Sequence, residues 1–317
     1  MLTLPDFKEK KIVFIHYDRS DKDNSLKFRA DNMRLYKNGK LTEQVSCYSV
    51  IAVYIVGTTS ITTTLIKEAK SFGITIFFLT QQLKEYASIN AVAEGNYHLR
   101  GVQYTMDEGR SLEVARRIVQ NKVANQVQFF KKQKADVDLS SLGSEIGSAT
   151  DLNQIRGYEG MVSAEYFKNM FVALDWRRRA PQTREDIPNL LLDVGYSMLF
   201  NFTDSLLRLF GFDTYKGVYH RLFFQRKSLT CDIMEPIRPL IDKQLVKSWN
   251  LRQINKKDFG YKNGSFYIKD WDRRKKYVGI FLNVLMENKE EIYRYVHGYY
   301  QHVLNPESYD FQEYKIL

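Results

Sequence analysis

Val45-Ser-Cys-Tyr-Ser-Val-Ile-Ala-Val-Tyr-Ile-Val56 decides the first part of the fold: it is uncharged, rich in β-branched and aromatic side chains, and stops at Gly57. Such a run reads as strand, because those side chains pack well on a pleated surface. Downstream the period changes. Ile61, Leu65 and Ala69 recur every four residues within Thr58 to Phe72, which predicts a helix with Gly73 at its C′ position. Ile74-Thr-Ile-Phe-Phe-Leu79 then reads as a buried strand. Upstream, Lys11-Ile-Val-Phe-Ile-His-Tyr17 is another β-type run, closed by polar residues from Asp18 to Asn24. The segment Ser25 to Tyr36 ends at Asn38-Gly39, a hairpin-turn signal. Residues 1–85 are therefore expected to form a small β domain carrying one helix.

Past about residue 100 the pattern is helical. Leu112, Ala115, Val119, Val123, Val127 and Phe130 trace one face of a helix whose other face carries Arg116, Arg117 and Lys122. The polar stretch Ala135 to Thr150 reads as a connector, and a second helix is expected from Asp151 to Asp175. A third begins at Pro188, a good first-turn residue, with Leu191, Val194, Met198, Phe202 and Leu206 inward, and ends in the Gly211 to Gly217 stretch. Residues 232–250 are amphipathic, and 277–300 read as one last long helix rich in tyrosine. The expected fold class is α+β, with the β domain at 1–85, a linker at 86–103 and a larger all-α domain at 104–317.

At about 150 residues per domain, 317 residues agree with two domains. An apolar fraction of 44% with 14% aromatics supports a buried core and excludes a disordered or collagen-like chain. The net charge of +10, with an isoelectric point near 9.3, favours an anionic partner such as nucleic acid. Two distant cysteines, Cys47 and Cys231, exclude a disulfide framework and a Cys-rich zinc site. Met1-Leu-Thr-Leu-Pro-Asp6 lacks the features of a secretory signal, and Val50 to Val56 is too short to span a bilayer, so a cytoplasmic location without membrane attachment is expected. The markers of phosphate loops, dinucleotide folds, α/β-hydrolases and zincins are absent.

Four residues stand out as candidate chemistry. Glu159 falls on the inward stripe Ile155, Val162, Tyr166, Met170, between Gly157 and Gly160. A boundary carboxylate paired with an arginine would look the same. His220 follows the turn Gly217-Val-Tyr219, where a structural histidine is more ordinary than a metal ligand. Asp232 and Glu235 lie three residues apart before Pro236 and Pro239, a pattern that also decorates helix starts. Together the four make a mixed oxygen and nitrogen set that suits Mg²⁺ or Mn²⁺. Arg177, Arg178, Arg179, Arg184, Arg221, Arg226, Lys227 and Arg238 bracket the acidic segments. Cations around a metal-binding acidic set are what metal-assisted phosphodiester chemistry on DNA requires.

Ile155-Arg-Gly-Tyr-Glu-Gly160 with Tyr166-Phe167, Arg178-Arg-Ala-Pro181, Asn189-Leu-Leu-Leu192 with Gly195-Tyr196, Gly217-Val-Tyr-His220 and Leu229-Thr-Cys-Asp-Ile-Met-Glu-Pro-Ile-Arg-Pro239 occur in this order. With these motifs the chain resembles the CRISPR-associated integrase and endonuclease of the spacer-acquisition module, the larger, metal-dependent member of that pair. The resemblance implies that Glu159, His220 and Glu235 are the metal ligands, with Asp232 beside them. It implies attack of a DNA 3′-hydroxyl on a phosphodiester at a CRISPR repeat, without ATP, and nuclease activity on branched DNA. It also implies an N-terminal β-sandwich through which homodimers form, a small ferredoxin-like partner protein, and double-stranded DNA (spacer precursor and repeat) as substrate. The chain departs from the pattern at Leu222-Phe-Phe224, and beyond residue 250 the resemblance fades. There Arg273-Arg-Lys-Lys276 and the tyrosines 293, 295, 299 and 300 rest on composition, and core packing of the tyrosines is the expectation over base stacking. A non-catalytic DNA-binding scaffold subunit and a general structure-specific nuclease are the competing readings.

Overall fold

A computed structural model describes residues 3–18, 21–81, 83–90, 96–132, 140–220 and 224–316. The chain divides into two compact units, Met1–Gln103 with Asn201–Asp213, and Tyr104–Phe200 with Thr214–Leu317.

The first unit contains two four-stranded sheets. One has the order β1 (Lys11–His16), β5 (Val50–Val56), β7 (Thr75–Leu79), β8 (Glu85–Ile89). Its first three strands are parallel, and β8 closes the edge antiparallel to β7. Every residue of β5 is buried, as expected of a central strand covered on both faces. The other sheet has the order β4 (Lys40–Ser46), β3 (Asn32–Lys37), β2 (Ser25–Arg29), β6 (Ser60–Ile61). Ile15, Leu26, Met33, Val53, Ile55, Leu65 and Ile76 share one core cluster. Helix α2 (Thr63–Ser71) starts at Thr62, whose hydroxyl accepts from Leu65 N at 3.2 Å, and Gly73 takes φ +71° beyond its end. Gly57 is required where β5 ends: its φ is +104°, and a Cβ there would sit 2.2 Å from the Tyr17 carbonyl oxygen.

Four expectations for this unit need amendment. The run Val45 to Val56 is not one strand, because a 3-10 turn at Cys47–Ser49 carries the chain from one sheet to the other. The segment Ser25 to Tyr36 is a hairpin, with Ala30 and Asp31 both at positive φ. A short helix, α1 (Leu4–Lys8), precedes β1. The expected linker at 86–103 carries most of β8 and the start of α3 (Tyr97–Thr105). Asn96 Nδ2 donates to Phe210 O at 2.9 Å, Arg100 Nε to Gly211 O at 3.0 Å and Gln103 Nε2 to Asp213 O at 2.7 Å. These bonds satisfy carbonyls where α7 (Ile187–Phe210) ends at Gly211.

The second unit is helical. Helix α4 (Glu108–Lys132) packs against α5 (Ser140–Ser148), α6 (Leu152–Met170) and α9 (Arg238–Asn250). Helix α7 begins in this unit and ends in the first, and it buries Leu191, Val194, Met198, Phe202 and Leu206, its expected inner face. Helix α8 (Ser228–Met234) runs into a 3-10 turn, Glu235–Ile237, before α9. The polar connector expected at 135–150 contains α5, while residues 133–139 lie outside the described residues. The last long helix is two, α10 (Trp271–Glu287) and α11 (Lys289–Leu304), broken at Asn288. A two-stranded hairpin, β9 (Phe259–Lys262) with β10 (Ser265–Ile268), adds to the expected all-α domain. Tyr293, Tyr295, Tyr299 and Tyr300 are buried, which assigns them to the core. Among the described residues, no helix is long and apolar enough to cross a membrane.

Candidate active site

The turn that carries His220 is built on Asp232. This fully buried carboxylate accepts from the backbone N–H groups of Val218 (2.7 Å), Tyr219 (3.0 Å) and His220 (2.9 Å), and its Oδ1 lies 2.6 Å from His220 Nδ1. With Asp232 Oδ1 facing Nδ1, Nε2 is the ring nitrogen turned away from that carboxylate. Gly217 lets the turn come this close: a Cβ there would stand 2.5 Å from Asp232 Oδ2. Arg156 of α6 donates to Tyr219 O at 2.9 Å, tying the turn to the helix that bears Glu159.

The two glutamates meet across α4. Lys122 is buried, and its Nζ hydrogen-bonds Glu159 Oε1 and lies 2.8 Å from Glu235 Oε2. Ser163 Oγ also donates to Glu159 Oε1, at 2.9 Å. Arg238 Nε stands 3.0 Å from Glu235 Oε1, and its guanidinium lies over the Tyr196 ring, 4.8 Å from the centroid. Burial disfavours a charged Glu235, but Arg238 and Lys122, with His220 adding, outweigh it and hold the carboxyl down at about 2. Burial likewise works against the Lys122 ammonium, and Glu235 and Glu159 overcome it, raising its pKa above the ordinary value. Two anions and two cations therefore share this buried space.

The structure thus brings Glu159 and Glu235 onto one ammonium, and pairs His220 with Asp232 in a turn tied to the Glu159 helix through Arg156. Among the described residues, no group of three or more His, Cys, Asp or Glu side chains is assembled ready to grip a metal ion. The donor chemistry nevertheless fits Mg²⁺ or Mn²⁺: two carboxylates, one of them with an oxygen (Glu235 Oε2) that accepts no well-formed hydrogen bond, and an imidazole oriented by a carboxylate behind it.

The basic candidates divide. Arg177, Arg178 and Arg226 are exposed, Arg178 beside Glu185 at 3.2 Å. Arg179 turns inward to Asn189 Oδ1 and Asp193 Oδ1, each at 2.9 Å, so it braces the loop before α7. Arg184 and Lys227 are half-buried, Arg238 belongs to the glutamate cluster, and Arg221 lies outside the described residues. Sequence reasoning missed Lys122, which it set on the solvent face of α4. A signal was present: Lys122 is seven residues after Ala115, about 20° away around a helix of 3.6 residues per turn, and Ala115 is fully buried.

The family model for CRISPR associated protein Cas1 matches residues 20–281, a span that contains Lys122, Glu159, His220, Asp232, Glu235 and Arg238. A curated relative from Thermodesulfovibrio yellowstonii, a CRISPR-associated endonuclease Cas1, is 27% identical over 276 residues, covering 81% of this chain and 87% of its own length. The solved structure of a Cas1 protein from Thermotoga maritima superposes with a TM-score of 0.83 at 20% identity, covering 96% of this chain and 100% of that one. A casposase bound to its integration product superposes with a TM-score of 0.79 at 18% identity, covering 96% and 94%. With the motifs in order, the fold shared end to end and most of its length matched, the chain belongs to the CRISPR-associated Cas1 family.

Proposed function

We propose that this Cas1-family chain is a CRISPR adaptation integrase, a divalent-metal-dependent DNA endonuclease and strand-transfer enzyme that inserts new spacer DNA into a CRISPR array. Glu159, Glu235 and His220 would hold one Mg²⁺ or Mn²⁺, with Asp232 orienting His220. The reading is supported above all by the Asp232–His220 pair, at 2.6 Å, in which a fully buried carboxylate orients the imidazole as a metal-ligating histidine requires. When bound, the cation polarises a phosphodiester and stabilises the charge that develops on it.

The chain's own groups do the rest. Arg238 keeps Glu235 charged and fixed in orientation, and Ser163 donates a hydrogen bond that orients a Glu159 oxygen. Exposed Arg177, Arg178 and Arg226 are available to the DNA backbone, where cations hold phosphates without reading sequence. A DNA 3′-hydroxyl attacks phosphorus, one P–O bond forms as another breaks, and the exchange of like bonds needs no nucleotide hydrolysis. The substrates are double-stranded spacer precursor and CRISPR repeat. The enzyme works as a homodimer beside a small ferredoxin-like adaptation protein.

Strand transfer by purified protein, with and without that partner, tests the reading. Glu159→Ala and His220→Ala are expected to abolish transfer while DNA affinity and the folded state persist, and full transfer by Glu159→Ala would refute it. The Lys122 bridge favours one rival, a non-catalytic scaffold stabilised by buried ion pairs, which predicts no heat on Mn²⁺ titration and no transfer. A general structure-specific nuclease would cut branched DNA equally well with or without a repeat.

A further inference from the structure

Lys122 carries an inference that rests on the metal reading and deepens it. Its ammonium touches both glutamates assigned to the metal, Glu159 by a hydrogen bond and Glu235 Oε2 at 2.8 Å. Its helix is fixed against the same turn. Asn125 Nδ2 donates to Pro236 O at 2.9 Å, next to Glu235, and to Tyr314 O at 2.8 Å. Asn121 Nδ2 donates to Tyr314 O at 2.8 Å while its Oδ1 accepts from Tyr314 N at 2.9 Å. Asn121, Lys122 and Asn125 thus form a buried polar stripe on one side of α4, and the asparagines clamp the C-terminal segment and the Glu235 turn in register with the lysine.

We propose that Lys122 is a positioning residue acting as a resident cation: it draws Glu159 and Glu235 together before metal arrives, and its ammonium must leave the space between them when a divalent ion binds. With Lys122 and Arg238 present, the charges of the two glutamates are already balanced. An entering divalent ion therefore meets a neutral cluster instead of two bare carboxylates, and the lysine competes for the same oxygens. Metal-free protein keeps an ordered site, and loading is weaker than the ligand set alone would give.

Isothermal titration of Mn²⁺ into the purified chain and into Lys122→Met and Lys122→Arg, with thermal melts in chelator and in Mn²⁺, tests this. Lys122→Met is expected to bind Mn²⁺ about tenfold more tightly or better, to melt earlier than the parent in chelator, and to gain more from Mn²⁺. Lys122→Arg keeps the charge and should bind no more tightly than the parent. Binding by the parent with equal or weaker binding by Lys122→Met would overturn the proposal and leave the metal site standing. Absence of Mn²⁺ binding in every variant would overturn the metal reading and this proposal together. Should Lys122→Met fail to fold, Lys122→Gln replaces it, with the same expected tightening.

Discussion

Glu235 and Asp242 are two buried carboxylic acids on adjoining turns of the same chain segment, and they are held in opposite states. Burial pushes both toward the neutral form. At Glu235, Arg238 and Lys122 outweigh burial and bring the carboxyl down to about 2. At Asp242 burial wins and the group rises to about 6, because its direct partners are hydroxyls: Tyr196 donates at 2.5 Å and Tyr166 at 3.1 Å. Tyr196 belongs to both environments, with its hydroxyl on Asp242 and its ring under the Arg238 guanidinium. The difference teaches what separates a reactive buried acid from a structural one. A neighbouring cation keeps a buried carboxylate charged, as a metal ligand must be, whereas hydroxyl partners satisfy an acid that burial pushes toward its neutral form.

The largest effect should come from breaking the charged side of this comparison. Glu235→Gln leaves Lys122 and Arg238 short of a buried partner, so a loss of about 3 kcal/mol in chemical denaturation is expected, with strand transfer falling below detection. Unchanged stability would mean that water, not Glu235, balances those cations. Asp232→Asn should be milder. It keeps one acceptor for the turn but weakens the hold on His220, and roughly 10- to 100-fold loss of Mn²⁺ affinity should appear in titration. Loss of activity equal to that of Glu235→Gln would mean that Asp232 is itself a ligand.

The neutral side is tested by pH. Asp242 lies at about 6, above its ordinary 3.8, so the folded protein retains a proton that the unfolded chain has released. Stability should therefore fall as pH rises from about 4 to 6, by on the order of 2 kcal/mol, and level off above. Asp242→Asn should flatten that slope, and an unchanged slope would place its origin elsewhere. The smallest change is expected from Tyr196→Phe, which removes one donor to Asp242 but keeps the ring beneath Arg238. It should cost about 1 kcal/mol and leave Mn²⁺ affinity untouched.

How far the sequence speaks depends on how apolar each element's inner face is. Helix α7 was legible because Leu191, Val194, Met198, Phe202 and Leu206 keep an apolar helical period and are all buried, although Asn201 and Asp204 are buried on the same helix. Helix α4 was legible as a helix but not as part of the site, since its inward arc mixes Val119 and Val123 with Asn121, Lys122 and Asn125. A periodicity argument assigns charged side chains to solvent, and here tertiary partners from α6 and the Glu235 turn overrule it. The chain's short reversals also escaped. The turn at Cys47–Ser49 lies inside an uncharged run without glycine or proline, and Asn288 interrupts a helical pattern without a glycine or proline beside it. Glu159, His220, Asp232 and Glu235 stood out singly in the sequence, but only the motif resemblance implied a shared role for residues so distant along the chain, because no local period links them.

The most direct test of the central claim is anomalous diffraction from crystals of this protein soaked in Mn²⁺. The account predicts a single strong peak bounded by a Glu159 oxygen, a Glu235 oxygen and His220 Nε2, with the Lys122 ammonium moved out of the gap between the two glutamates. A peak elsewhere, or none with Lys122 still bridging the carboxylates, would contradict it.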